Sequence, residues 1–213
     1  MTTLDDLAGL RPALARVLSK PAPPAGLPGL GAPSASAYAF SPVPALRRRR
    51  VEDTAALMAT ENPEGAAVLR EADVFGALSE AMEGQGLSAD DLADVFGSYL
   101  GQSWELANGA PREADRGRLH ALRRQARAVL DEAMTDGQRG DPRALQSLSD
   151  ALAVQLFVYG VTAFRLTQDW KGQARALADN YHALGRDLLG LDFRLMTLDG
   201  DGLIARSDDA FAA

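Results

Sequence analysis

The chain has 213 residues, a formal net charge of −7, 46% hydrophobic residues and no cysteine. That length allows one domain with appendages, and the lack of cysteine excludes disulfides and thiolate metal sites. The acidic balance argues against attraction of the whole molecule to nucleic acid or to an anionic membrane. Leucine, alanine and arginine dominate and Ile204 is the single isoleucine, a composition that predicts an all-α fold because strands favour β-branched residues.

Residues 1–19 are predicted to form a short amphipathic helix, because leucines recur at helical spacing and include Leu4, Leu7 and Leu14. Residues 20–45 are rich in Pro, Gly, Ala and Ser, which predicts a flexible linker that buries too little surface to offset the entropy of ordering. A helix on such a tether suits docking into a groove. The three leucines are therefore candidate contacts for a protein partner or a second copy of the chain.

Residues 46–190 are predicted to form a bundle of five to six helices. Capping residues and prolines mark the helix starts, since proline is tolerated in a first turn, and glycines mark several ends. The predicted helices cover about 46–60, 63–82, 88–107, 112–134, 142–170 and 173–189. The fifth is apolar on most sides, which predicts a position in the middle of the bundle.

Residues 191–213 are predicted to form a tail outside the bundle. Polar and apolar residues alternate there, and Asp199-Gly-Asp-Gly202 is a turn signal. Either a short hairpin or an irregular docked tail satisfies this pattern.

The sequence predicts no metal site, no cofactor and no catalytic residue. Asp179 and His182 lie one helical turn apart, but di-iron bundles need such a motif twice, and His120 has no acid three residues before it. The acidic turn at Asp199–Gly202 lacks the later ligands of a calcium loop. There is no nucleophile elbow and no phosphate-binding loop after a strand.

Aromatic residues in the helices follow the spacing of a core, so packing explains them. Bundle cores also host small apolar ligands, and this leaves an enzyme or a ligand carrier as an alternative function. The candidate lining of such a core pocket is Phe96, Tyr99, Trp104, Tyr159 and Phe164.

The bundle opens with a run of four arginines, Arg47, Arg48, Arg49 and Arg50. Four consecutive helical residues span about 300° of the wheel, so they cannot all face one partner. The rest of the chain has a formal charge of −11, which is −7 less the four arginines, and would repel a polyanion. Pairing with acids of the chain such as Asp90, Asp91 or Glu113 is favoured over a protein partner, with polyanion binding third.

Several segments together resemble a family of uncharacterised bacterial proteins: Phe40-Ser-Pro, Arg47–Arg49, Gly86–Gly109 and a C-terminal helix that ends in glycine. The resemblance covers about residues 38–205 and implies no activity, so no catalytic residue is transferred. Members often begin with a secretion signal. This N-terminus is acidic and no long apolar run follows it, so a cytoplasmic location is expected.

No membrane span is expected, because the most apolar run, residues 151–164, is shorter than the about 20 residues that a bilayer requires. Together these features favour a non-enzymatic helical interaction protein. Its tethered N-terminal helix is expected to bind an unknown protein partner or a second copy of the chain. Nucleic acid is a disfavoured partner.

Overall fold

A computed structural model describes residues 4–22, 36–109, 115–168 and 170–211. These residues are mainly helical, which confirms the predicted all-α fold. The first described element is a 3-10 helix, Leu4–Leu10. The α-helices that follow within the described ranges are α1 (Arg11–Leu18), α2 (Pro44–Met58), α3 (Pro63–Glu71), α4 (Val74–Glu83), α5 (Leu92–Ala107), α6 (Arg116–Ala133), α7 (Asp136–Arg139), α8 (Pro142–Gln168) and α9 (Trp170–Leu189).

Capping residues mark the helix starts. Helices α3 and α8 start where the sequence predicts, whereas α6 starts at Arg116 and not at about Arg112 as predicted. Asn62 caps α3 through its side-chain oxygen, and Pro63 and Pro142 are the first residues of α3 and α8. Asp115 caps α6 by accepting hydrogen bonds from two backbone N–H groups of the first turn. Each cap satisfies donors that a helix start leaves unpaired. Pro111, another predicted start, lies outside the described residues.

Helix α5 begins at Leu92, not at Ser88 as predicted. Asp91 is its N-cap, and its Oδ1 accepts a hydrogen bond from the Ala93 N–H at 2.9 Å. Residues 88–91 form a turn, in which the Asp91 N–H donates to the Ser88 carbonyl at 3.3 Å, and Asp91 itself has extended backbone angles and forms an antiparallel bridge with Ala39. This pairing is long-range, so local capping signals could not reveal it.

The predicted helix over 63–82 is two helices, α3 and α4. The chain turns at Ala72, which has extended backbone angles (φ −77°, ψ 141°). Asp73 then caps α4 by accepting a hydrogen bond from the Gly76 N–H at 3.1 Å. Asp73 is the N-cap residue that marks the break. The helical spacing of apolar residues on both sides of it suggested one continuous helix.

The N-terminal segment is docked on the bundle, so it is not a free tethered ligand in this structure. Leu7 and Leu14 are 1% and 0% exposed, because the 3-10 helix packs on α9 and α1 packs on α6. Pro12 does not break α1, since it lies in the first turn. The Leu4 side chain lies outside the described part of the chain.

Part of the predicted linker over 20–45 belongs to the core. Tyr38 is 1% exposed and Phe40 is 8% exposed, so residues 36–43 are a folded connection into α2. Two aromatic side chains supply the buried surface that a Pro/Gly-rich composition otherwise lacks. Residues 23–35 lie outside the described ranges.

Helix α5 occupies the centre of the bundle, the position predicted for α8. It packs against α6, α8 and α9, and it is buried on nearly all sides. Gly97 lets α6 come close, because a Cβ on Gly97 would lie 2.9 Å from the Arg123 backbone nitrogen. One side of α8 remains open instead, and there Phe164 is 66% exposed.

The C-terminal tail contains a short hairpin, one of the two forms that the sequence predicted for it. Strands β1 (Met196–Asp199) and β2 (Gly202–Ala205) pair antiparallel. The tail also joins the core, because the Trp104 indole N–H donates to the Met196 carbonyl at 3.1 Å. Gln125 of α6 bonds both backbone groups of Leu203, at 2.9 and 3.0 Å. The hairpin therefore holds α5 and α6 together from one side.

One described stretch, Pro142–Val161, has the length and hydropathy to cross a bilayer, and half of it is buried inside the fold. It is longer than the apolar run noted in the sequence. Core helices have the same composition, so the stretch is weak support for a membrane span. The expected absence of a span stays a prediction.

Candidate functional site

A groove of about 600 Å³ opens between α4, α5, α6 and α8, and Leu198 of β1 also contributes to its wall. Most of its walls are apolar, formed by Ala77, Leu78, Ala81, Met82, Leu119, Leu122, Leu156, Phe157, Val161 and Phe164.

Two glycines help to open the groove, Gly101 of α5 and Gly160 of α8. A Cβ on Gly101 would lie 2.7 Å from Leu122 Cδ1, so glycine there leaves room for the end of the Leu122 side chain. A Cβ on Gly160 would meet only Gln102 Nε2, at an ordinary 3.7 Å. Glycine in a helix costs about 1 kcal/mol relative to alanine, and no packing contact at Gly160 demands it. What the glycine preserves at this point is the open volume of the groove.

Of the five aromatic residues predicted to line a pocket, Phe164 alone lies in the groove wall. The other four are fully packed. Tyr99 and Tyr159 stack with ring centroids 5.7 Å apart, and their hydroxyls are 3.4 Å apart. Phe96 and Trp104 are 0% and 4% exposed. The prediction was wrong for these four because α5, which holds three of them, is central, so that its aromatic residues face neighbouring helices.

Most polar side chains of the groove already have partners within the protein. The Ser98 hydroxyl donates to the Asp94 carbonyl at 2.9 Å, and Gln85 Nε2 donates to the Ala81 carbonyl at 3.3 Å. Glu105 is likewise engaged. These groups are therefore satisfied without a ligand.

The charged groups at the groove are Glu105, Asp115 and Arg118, which sum to a negative charge. Arg118 Nε lies 3.5 Å from Asp115 Oδ2 and has a further partner. Backbone hydrogen bonds from the Arg118 and Gly117 N–H groups lower the pKa of Asp115, so this carboxylate stays ionised. This net negative charge would repel an anionic ligand, and the arginine that could attract one is already paired with Asp115.

Gln102 is the exception among the polar groove residues. Its Oε1 is buried and has no hydrogen-bond partner among the described residues, although the side chain lies in the groove wall. A buried acceptor left without a donor costs about 1–3 kcal/mol. Nothing in the sequence singles out Gln102, because a glutamine inside a helix is usually a surface residue.

Arg47 is folded into the protein, and the predicted pairing with Asp90 is confirmed. Its Nη2 lies 2.5 Å from Asp90 Oδ1, and its Nε lies 3.3 Å from Asp150 Oδ1. The guanidinium also lies over the Phe75 ring, 4.4 Å from its centroid. Asp150 is the partner that sequence reasoning missed, because it is more than a hundred residues away on α8.

The other three arginines divide between the protein and solvent. Arg50 donates to the carbonyl and hydroxyl of Ser147, whereas Arg48 is exposed. Arg49 is exposed and lies 3.8 Å from Asp53, one helical turn away. The helical wheel therefore separates the run as expected. Asp91 is near Arg123 instead, and Glu113 lies outside the described residues.

The histidine motif does not assemble a metal site in the part of the chain that is described, where no group of three or more potential ligands occurs. Asp179 pairs with Arg194 at 2.5 Å. His182 Nδ1 lies 3.4 Å from Asp192. The two residues of the motif thus have separate partners.

A buried acidic pair stands at the start of α5. Asp94 Oδ1 and Arg123 Nε are 2.5 Å apart, but the contact lacks hydrogen-bond geometry. Burial and then the negative charge of Asp91 raise the pKa of Asp94 to about 6, against a lowering by the hydrogen bond from the Ser88 N–H and by Arg123. A carboxyl with such a pKa titrates close to physiological pH.

Asp94 should make stability depend on pH. Its folded pKa of about 6 lies above its ordinary value of 3.8, so its favourable contribution is present at low pH and is lost as the pH rises through 6. Between pH 5 and pH 7.5 the unfolding free energy of the wild type should fall by about 1 kcal/mol relative to Asp94→Asn. Urea unfolding of both proteins at each pH measures this; a difference that stays constant would contradict it.

Comparison of the chain with models of protein families, with curated proteins and with solved structures found no match. No residue role is transferred from another protein, and the resemblance to a bacterial family stays a prediction. The chemistry of the groove is therefore the basis for a functional assignment.

Proposed function

We propose that this chain is a non-enzymatic binding protein that holds a neutral, apolar small molecule in the groove between α4, α5, α6 and α8. The observation that supports this is a volume of about 600 Å³ with mainly apolar walls. Small-molecule sites typically enclose about 300–1,000 Å³ and have few polar groups. The negative balance of the groove favours a neutral ligand over an anion.

A small molecule suits the groove better than a partner helix. One helical turn with its side chains fills a cylinder about 10 Å wide and 5.4 Å long, so about one and a half turns would fill the volume. Most of a partner helix would remain outside. The chain's own N-terminal helix, α1, packs on α6. It is therefore not free to bind a groove as a tethered helix in this structure.

Binding is favoured over catalysis by the polar groups available in the groove. The described lining contains no histidine and no cysteine, and its one serine, Ser98, donates to a main-chain carbonyl. Asp115 caps a helix and pairs with Arg118. Among these residues no nucleophile lies beside a base, which is the arrangement that covalent catalysis uses.

Filling the groove should abolish binding of an apolar probe. The neutral dye N-phenyl-1-naphthylamine should bind the wild type with enhanced fluorescence, and Gly160→Leu should weaken binding at least tenfold because leucine enters the open volume. Gly137→Leu is the matched control: Gly137 lies in the short helix α7, away from the groove, where a Cβ meets only Thr135 Oγ1 at 4.0 Å. Fluorescence titration gives the dissociation constants.

Equal affinity of the two variants would place the dye elsewhere on the surface and contradict the proposal. Thermal unfolding of each variant shows whether it is folded. Native mass spectrometry of the wild type purified without dye is the complementary measurement. A bound small molecule should be retained by the wild type and by Gly137→Leu, and lost from Gly160→Leu.

A further inference from the structure

We infer that Gln102 is the polar anchor of the groove and that the ligand is an apolar molecule with an uncharged hydroxyl group. The inference rests on the proposed function and adds the ligand's chemical class. Ser98, Gln85, Glu105 and the charged residues of the wall have partners within the protein, as described above. Among the described polar residues of the groove, Gln102 is the one with a buried acceptor that has no partner.

The position of the amide fits this role. Its Nε2 lies 3.7 Å from where a Cβ on Gly160 would be, so the amide adjoins the space that the missing side chain leaves open. Half a turn about the terminal bond exchanges Oε1 and Nε2, so that either end can face a ligand. The anchor and the open volume therefore lie side by side in the wall.

A hydroxyl is the group that matches a free side-chain amide. It can accept a hydrogen bond from the amide N–H and donate one to the amide oxygen, whichever of them faces the groove. A carboxylate would only accept, and it would meet the negative balance of Glu105 and Asp115. A pure hydrocarbon would leave the buried oxygen without a donor, at a cost that discriminates against it.

Two probes that differ by one hydroxyl test the inference on the full chain. Naphthalene and 2-naphthol compete with N-phenyl-1-naphthylamine for the wild type and for Gln102→Met, which keeps the length of the side chain and removes its hydrogen bonds. The variant should bind 2-naphthol about tenfold more weakly and naphthalene equally or more tightly. Gln102→Leu serves as a second apolar variant should the methionine variant fail to fold.

The outcomes separate the two proposals. If both probes bind and the Gln102 variants change both affinities by the same factor, then Gln102 is not an anchor and the inference is wrong. If the dye binds but 2-naphthol does not displace it, the inference is wrong while the proposed function stands. If the dye itself does not bind the wild type, the groove is not a ligand site, and the proposed function and the inference both fail.

Discussion

Replacing Arg47 by methionine is expected to lower the free energy of unfolding by about 3–5 kcal/mol, the usual cost of leaving a buried charge without its partner. Asp150 is 2% exposed, and Arg47 is the cation in contact with it, at 3.3 Å. Methionine keeps much of the contact with Phe75, so the loss reports mainly on the charge. Urea unfolding at pH 7.5 measures the change.

The pH dependence identifies Asp150 as the cause. Burial raises the pKa of Asp150, while a hydrogen bond from Gln146 and the charge of Arg47 lower it. Without Arg47 this pKa should rise further. Since a raised folded pKa lowers stability as the pH rises, the loss should be larger at pH 7.5 than at pH 5. Adding Asp150→Asn should recover part of the stability, because the uncompensated charge is then absent.

Arg49→Met is the matched control in the same helix. The Arg49 side chain is 80% exposed, and exposed substitutions of this kind change stability by no more than about 0.5 kcal/mol. Similar small losses for both variants would mean that Arg47 does not pair with Asp150 in solution. The four arginines would then be exposed to solvent, and that result would favour the hypothesis that they bind a protein partner or a polyanion.

Replacing Leu14 by alanine is expected to destabilise the protein by about 2–5 kcal/mol, the range for truncating a fully buried leucine. Leu14 is 0% exposed and belongs to the main hydrophobic core, which it joins through the packing of α1 on α6. The truncation leaves a cavity between these helices that a rigid core fills only in part. Thermal and urea unfolding give the free-energy difference.

Leu57→Ala is the control, because Leu57 on α2 is 76% exposed and its truncation should cost no more than about 0.5 kcal/mol. If Leu14→Ala costs as little as Leu57→Ala, the N-terminal helix is not docked in solution. That result would restore the hypothesis of a tethered helix that binds a partner or a second copy. A concentration-dependent mass in light scattering would then support self-association.

The two hypotheses about function place the same helix in different roles. In the docked arrangement, α1 packs on α6 but contributes no residue to the groove lining. Its loss should then reduce stability without removing a ligand contact. A tethered arrangement would instead make α1 the binding element, which is why Leu14 and Gly160 variants separate the two.

Much of the architecture was predictable from local signals in the sequence. Capping aspartates and asparagines, prolines in first turns and the acidic Gly-rich turn near residue 200 act over a few residues, so they can be recognised without knowing the fold. The starts of α3 and α8 followed from them, and the C-terminal hairpin was one of two forms that they allowed for the tail. The division of Arg47 to Arg50 between protein and solvent also followed, because helical geometry alone separates consecutive side chains.

The candidate site was not predictable in the same way. An apolar stripe shows that a helix face is buried, but not which neighbour buries it. Tyr99 and Phe164 have similar aromatic character in the sequence, yet one is packed in the core and the other is exposed at the groove. Neither Gln102 nor Gly160 is unusual in its own helix. They form part of the candidate site because the packing of α5 against α8 makes them neighbours.

The sequence by itself therefore determined the helical class, the starts of α3 and α8 and the acidic net charge, because these depend on composition and on interactions between residues a few positions apart. The tertiary structure alone decided that α5 is central, that the N-terminal helix is docked, and that Arg47 neutralises Asp150 on α8. It also decided where the helices leave a groove. Those features depend on contacts between distant segments, and their free energy is set by how the helices pack.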